Sequence, residues 1–128
     1  MKRILSLIIA TILICMTLTP VAFASDMRWK NVAYVSVDID SSYGTYESEI
    51  QGNKGTSKIV CTLVLYEKNL WGTYKQVSQT KETYYGRDKT FVGTYNFKSG
   101  TTYKLVSTAT VTCNGVAETV SASTEKKC

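Results

Sequence analysis

Between residues 33 and 124, apolar and polar residues trade places at every second position, and this run of alternation returns seven times. Strand side chains point to opposite faces in turn, so a period of two describes a strand with one face on a core and the other in solvent. No stretch here carries apolar residues at helical spacing over three turns. The chain's only proline, Pro20, precedes all seven runs, and the rest is rich in Thr, Ser, Val and Tyr, which suit a pleated, half-buried surface.

In the first run, Ala33, Val35, Val37 and Ile39 alternate with Tyr34, Ser36, Asp38 and Asp40. In the second, Tyr46, Ser48 and Ile50 alternate with Glu47, Glu49 and Gln51, and Gly52-Asn53-Lys54-Gly55 makes the turn that follows. Ile59, Cys61, Leu63 and Leu65 line one face of a third strand, which ends at Asn69-Leu70-Trp71-Gly72. Residues 73–82 form a more polar fourth strand around Tyr74 and Val77. Phe91, Gly93, Tyr95 and Phe97 mark a fifth. Tyr103, Leu105, Ser107, Ala109, Val111 and Cys113 mark a sixth, and Val116 to about Thr124 a seventh. Asn114-Gly115, between the last two, is a strong hairpin signal because both residues tolerate the positive φ of a type I′ turn. Tyr103, three residues after Gly100, is placed like the tyrosine corner of sandwich folds. Seven short strands without helices predict an all-β fold: a single antiparallel, immunoglobulin-like β-sandwich, with a small closed barrel as the second candidate.

The N-terminus reads as an address. Met1-Lys2-Arg3 is a basic start, Ile4–Leu18 a mostly apolar run, and Ala22-Phe23-Ala24 a small-x-small cleavage box before Ser25. The run is about 15 residues long, short of the roughly 20 a spanning helix needs. The expected organisation is a signal peptide over residues 1–24, cleaved after Ala24, and a secreted domain over 25–128 without a second hydrophobic span. The alternatives are an uncleaved anchor and a lipoprotein modified on Cys15. The second lacks the usual small residue before its cysteine, since Ile14 stands there. Two of the 15 basic residues belong to the signal, leaving 13 against 10 acidic ones in the secreted part. That mild, interspersed excess argues against a nucleic-acid partner. The chain has no histidine, which excludes Ser-His-Asp and Cys-His catalysis and any His-ligated metal. No cofactor is expected.

Cys61, Cys113 and Cys128 follow the signal, and export to an oxidising compartment favours a disulfide among them. If the last strand runs straight back from Asn114-Gly115, Cys128 ends roughly 40 Å from Cys113 at about 3.3 Å per residue, too far to bridge. Cys61 lies early in the third strand and Cys113 ends the sixth. These strands are antiparallel neighbours in immunoglobulin-like topologies, so a Cys61–Cys113 disulfide is expected, against the alternative of two buried free thiols. Cys128 is then left over, either for an intermolecular disulfide (a homodimer or a tether) or without a role.

Two kinds of side chain are candidates for chemistry. Asp38 and Asp40 share one face of the first strand, about 7 Å apart, and Glu47 and Glu49 share one face of the second. Paired carboxylates can act on glycosides or hold Ca²⁺, but such pairs are also ordinary on a solvated sheet face. Trp71, Tyr84 and Tyr85 fall in or beside loops, where aromatic side chains contact sugars, peptides or proteins, or else cover the ends of the core. Tyr43 and Tyr46 flank Gly44 in a similar setting.

The signal peptide, Trp71 or Tyr74 after the third strand, Gly100-Thr101-Thr102-Tyr103, and Asn114-Gly115 with Glu118 together resemble a group of small secreted proteins of Gram-positive bacteria, mostly clostridia, that share a domain of unknown function. The resemblance implies a bacterial secreted β-rich module and carries over no catalytic or ligand-binding residue. The expected function is a non-enzymatic extracellular binding or adhesion module whose partner is a surface glycan or protein. The alternatives are a secreted antagonist, bacteriocin-like or an inhibitor, and a small hydrolase working through Asp38 and Asp40.

Overall fold

A computed structural model of the chain describes residues 29–128. The signal peptide expected over residues 1–24 lies outside the described residues. Seven strands follow in order: β1 (Val32–Asp40), β2 (Thr45–Gly52), β3 (Thr56–Lys68), β4 (Tyr74–Tyr84), β5 (Asp88–Thr94), β6 (Thr102–Cys113) and β7 (Val116–Lys127). They form two antiparallel sheets, one in the order β1-β2-β5 and one in the order β4-β3-β6-β7. The architecture is the expected β-sandwich and not a closed barrel. In a constant-type immunoglobulin sandwich the fourth strand lies beside the fifth. Here β4 sits instead at the edge of the other sheet, beside β3.

Alternation in the sequence becomes alternation in burial. In β2 the inward residues Tyr46, Ser48 and Ile50 are fully buried, as are Ile59, Cys61, Leu63 and Leu65 in β3. From β6, Tyr103, Leu105, Ser107, Ala109 and Val111 meet them, with Ile39, Phe91 and Val120 completing the core. The polar composition of β4 follows from its edge position, where only Val77 and Tyr84 pack against the core. β5 is shorter than the sequence suggests. It ends at Thr94, after which Tyr95 and Phe97 leave the ladder and stack edge-to-face with Tyr103, at centroid distances of 5.8 and 4.9 Å. The Tyr103 hydroxyl accepts a hydrogen bond from the Lys98 amide at 2.9 Å, which makes the expected tyrosine corner.

The β6–β7 hairpin turns at Asn114 (φ 51°) and Gly115 (φ 82°), the two positive φ values a type I′ turn needs. An interaction the sequence conceals ties the start of the domain to this hairpin. Asn31 is buried, its side-chain amide donates to the carbonyls of Val111 (2.8 Å) and Val116 (2.7 Å), and its backbone amide donates to Glu118 (2.7 Å).

The expected Cys61–Cys113 disulfide is corrected by the register. β3 and β6 are indeed antiparallel neighbours, and both cysteines are buried. Cys61, however, stands opposite Ala109, whereas Cys113 stands opposite Thr56. Cys113 lies four residues along β6 from Cys61's partner, roughly 13 Å at about 3.3 Å per residue, beyond the reach of a disulfide. Within the chain, Cys61, Cys113 and Cys128 are not bridged to one another. At the core, a buried hydroxyl pair links the two sheets. Ser107 donates to Ser48 at 2.8 Å, and the Cys61 sulfur lies 3.6 Å from the Ser107 hydroxyl. Ser48 is on the second strand and Ser107 on the sixth, the same two strands that the inter-sheet disulfide of antibody domains joins.

Candidate functional site

The β3–β4 connection places the largest apolar side chains in solvent. Asn69 accepts at its carbonyl from the Gly72 amide (3.0 Å) and donates from its own amide to the Thr73 carbonyl (2.9 Å). Its side-chain oxygen accepts from the amides of Trp71 (2.8 Å) and Thr73 (2.9 Å). Gly72, at φ 85°, closes the loop in the left-handed region, giving the three-residue hairpin of a tight turn followed by a glycine bulge. With the backbone held this way, Leu70 and Trp71 project from the tip, 101% and 89% exposed. The reading in which Trp71 covers the end of the core is overturned, because its side chain is almost fully exposed and is not among those packed against the core.

Lysines surround the base of the tip. Lys68 and Lys104 set their ammonium groups 5.8 and 5.4 Å from the centre of the Tyr74 ring. Such positions favour a cation electrostatically. The Tyr74 hydroxyl is buried without a hydrogen-bond partner, and this burial, with the nearby Glu125 carboxylate, pushes its pKa up to about 12. The turn between β1 and β2 belongs to the same end of the sandwich, since Tyr95 donates to the Gly44 carbonyl (3.0 Å) and Lys126 to that of Ile39 (2.9 Å). Tyr43 projects from that turn, 82% exposed. Cys128 is also at this end. Its amide donates to the Thr101 carbonyl at 2.9 Å, just beyond the last β6–β7 pair, and its side chain packs at the margin of the core.

The other sequence candidates are elsewhere. Tyr84 and Tyr85 lie at the far end of β4, roughly 35 Å from the tip for an 11-residue strand. Tyr84 packs on the core with Lys89 5.3 Å over its ring, whereas Tyr85 is exposed. The loop aromatics therefore do not form one site. Asp38 stands opposite Glu47, and Asp40 opposite Thr45, on the outer face of the three-stranded sheet. Asp40 accepts from the Ser42 hydroxyl (2.7 Å) and the Tyr43 amide (3.4 Å), and the Ser42 bond above all keeps its carboxyl below the usual range. It caps the β1–β2 turn. Among the described residues no group of three or more Asp, Glu or Cys side chains is placed to hold a metal ion.

The registers also separate charge between the two outer faces, which residue-by-residue reading missed. On the three-stranded sheet the outward positions include Asp38, Asp40, Glu47, Glu49 and Asp88 and no Lys or Arg. On the four-stranded sheet they include Lys58, Lys68, Lys81, Lys104 and Lys127, with Glu125 the one acid, among rows of Thr and Ser. Seeing this takes the strand pairing, because sequence neighbours point to opposite faces.

No protein-family model matches the chain, and no curated protein sequence matches it either.

Proposed function

We propose that this protein is a secreted, non-enzymatic binding module of a Gram-positive bacterium that attaches to an extracellular surface through the tip of its β3–β4 hairpin. One observation carries the reading: Leu70 and Trp71, adjacent in sequence, are held out in solvent by a loop whose own amides are bonded internally. Exposed, pre-ordered apolar groups pay little entropy on docking and gain the area they bury. The export signal read in residues 1–24 and the resemblance to small secreted clostridial proteins support an extracellular setting.

The test is co-sedimentation of the purified protein with isolated Gram-positive cell envelopes. Changing Leu70 and Trp71 together to Ser should reduce binding at least about tenfold, the loss expected for two apolar anchors, with an unchanged melting temperature. Equal binding by the variant would remove the tip from the proposal. Secretion is checked separately by N-terminal sequencing from culture medium, where the mature chain should begin at Ser25.

A further inference from the structure

Resting on that reading, we infer that the surface bound by the hairpin tip is an anionic lipid bilayer, entered at the depth of its headgroups by Leu70 and Trp71. The tip is convex and ends in an aliphatic side chain beside an indole, so it offers a wedge and not a groove. Leucine gains by leaving water for acyl chains, and tryptophan favours the membrane–water boundary. A sugar would need polar partners at the same place. The Asn69 side-chain oxygen, the best-placed acceptor, is already taken by the amides of Trp71 and Thr73.

Entry also costs little in backbone desolvation. Of the five amides from Asn69 to Thr73, those of Asn69, Trp71, Gly72 and Thr73 donate within the loop. A backbone donor carried unpaired into a membrane interface would oppose insertion.

Charge complements this shape. Lys68 and Lys104 flank Tyr74 directly behind the tip, and Lys75 and Lys127 lie at the same end of the four-stranded sheet. Lysines so placed snorkel, laying their alkyl stems along apolar surface with the ammonium among phosphates. The five carboxylates on the opposite face are repelled by the same leaflet. The two faces therefore orient the domain with the lysine-bearing sheet leaning toward the membrane and the acidic sheet away from it.

The experiment uses phosphatidylcholine vesicles with and without phosphatidylglycerol, in a Trp29→Phe background so that Trp71 is the sole tryptophan of the mature domain. Trp71 emission should shift to the blue and be quenched by brominated acyl chains only with the anionic vesicles, and binding should weaken as salt rises. Lys68→Ser and Lys104→Ser should each weaken binding roughly fivefold, the effect of about one lysine at an anionic surface. Leu70→Ser should weaken it about tenfold. Unshifted emission with anionic vesicles overturns the lipid assignment, as does equal binding to neutral ones. If envelope binding still depends on Leu70 and Trp71 in that case, the binding module stands and its ligand is not lipid. If envelope binding is absent too, both readings fall.

Discussion

The buried hydroxyl pair between the sheets makes a quantitative prediction about what replaces a covalent bridge here. Ser48 and Ser107 are essentially inaccessible, 2.8 Å apart, and surrounded by Leu and Ile side chains of both sheets. Ser48→Ala removes one partner and leaves the Ser107 hydroxyl facing the Cys61 sulfur at 3.6 Å, a weak acceptor. A buried polar group deprived of its partner costs about 1–3 kcal/mol. For a domain of this size about 1 kcal/mol corresponds to roughly 4–8 °C in melting temperature, so each single alanine variant should melt lower by roughly 4 °C at the least and about 24 °C at the most. The double variant removes both polar atoms together and leaves nothing unsatisfied. Its cost should not exceed that of either single change, which implies a coupling of about 1–3 kcal/mol between the sites. Urea denaturation followed by circular dichroism, with all four proteins at one pH, measures the cycle. Additive losses would show that the two hydroxyls do not satisfy each other in the core.

Three further predictions test the fold around the site. A methyl group at Gly93 would collide with the Tyr46 ring, and Tyr46 is fully buried with its hydroxyl bonded to Ser78 and Thr80, so Gly93→Ala should cost about 1–3 kcal/mol and be partly rescued by Tyr46→Leu in the same denaturation assay. Tyr74 holds its phenolic proton more tightly when folded, with a pKa of about 12, than the ordinary value of about 10. Its contribution is therefore complete below pH 10 and lost as pH rises from 10 toward 12, so wild type should lose more stability than Tyr74→Phe between pH 9 and 11, and a parallel loss would refute this. Without reductant, Cys61, Cys113 and Cys128 should all alkylate in denaturant, while in the folded protein Cys61, whose thiol burial pushes up, should stay unmodified; a non-reduced peptide joining Cys61 to Cys113 would restore the disulfide.

How far the sequence is legible depends on the range of the interaction that decides each feature. The seven strands, the Asn114-Gly115 turn and the Tyr103 corner rest on neighbours within a few residues, and all three stand in the structure. The cysteine pairing did not, although the strand adjacency behind it was right. Which residue of β3 faces which residue of β6 is set by a register that runs unbroken from Lys58 opposite Thr112 to Glu67 opposite Tyr103, and the period-two pattern cannot see a shift of two or four residues that preserves the inward face. Asn31 reads as a surface residue until its two carbonyl partners, some eighty positions away, are known.

The candidate site was legible in identity but not in exposure. Trp71 stood out as a loop aromatic, yet an aromatic after a strand covers a core end as readily as it leaves the surface. What decides between these outcomes is the loop's hydrogen bonding. With Asn69 closing the turn on itself through four bonds and Gly72 supplying the left-handed residue, the β3–β4 hairpin runs on past the end of the sandwich. Its side chains have no core left to reach. The end of the core is covered instead by Tyr95 and Phe97, which leave β5 and stack on Tyr103. Because that aromatic cluster already fills the position, burial of Leu70 and Trp71 is unnecessary for stability, and replacing them should leave the melting temperature where it is while altering what the protein touches. That separation allows the tip to be tested as a binding element without the confusion of a misfolded domain.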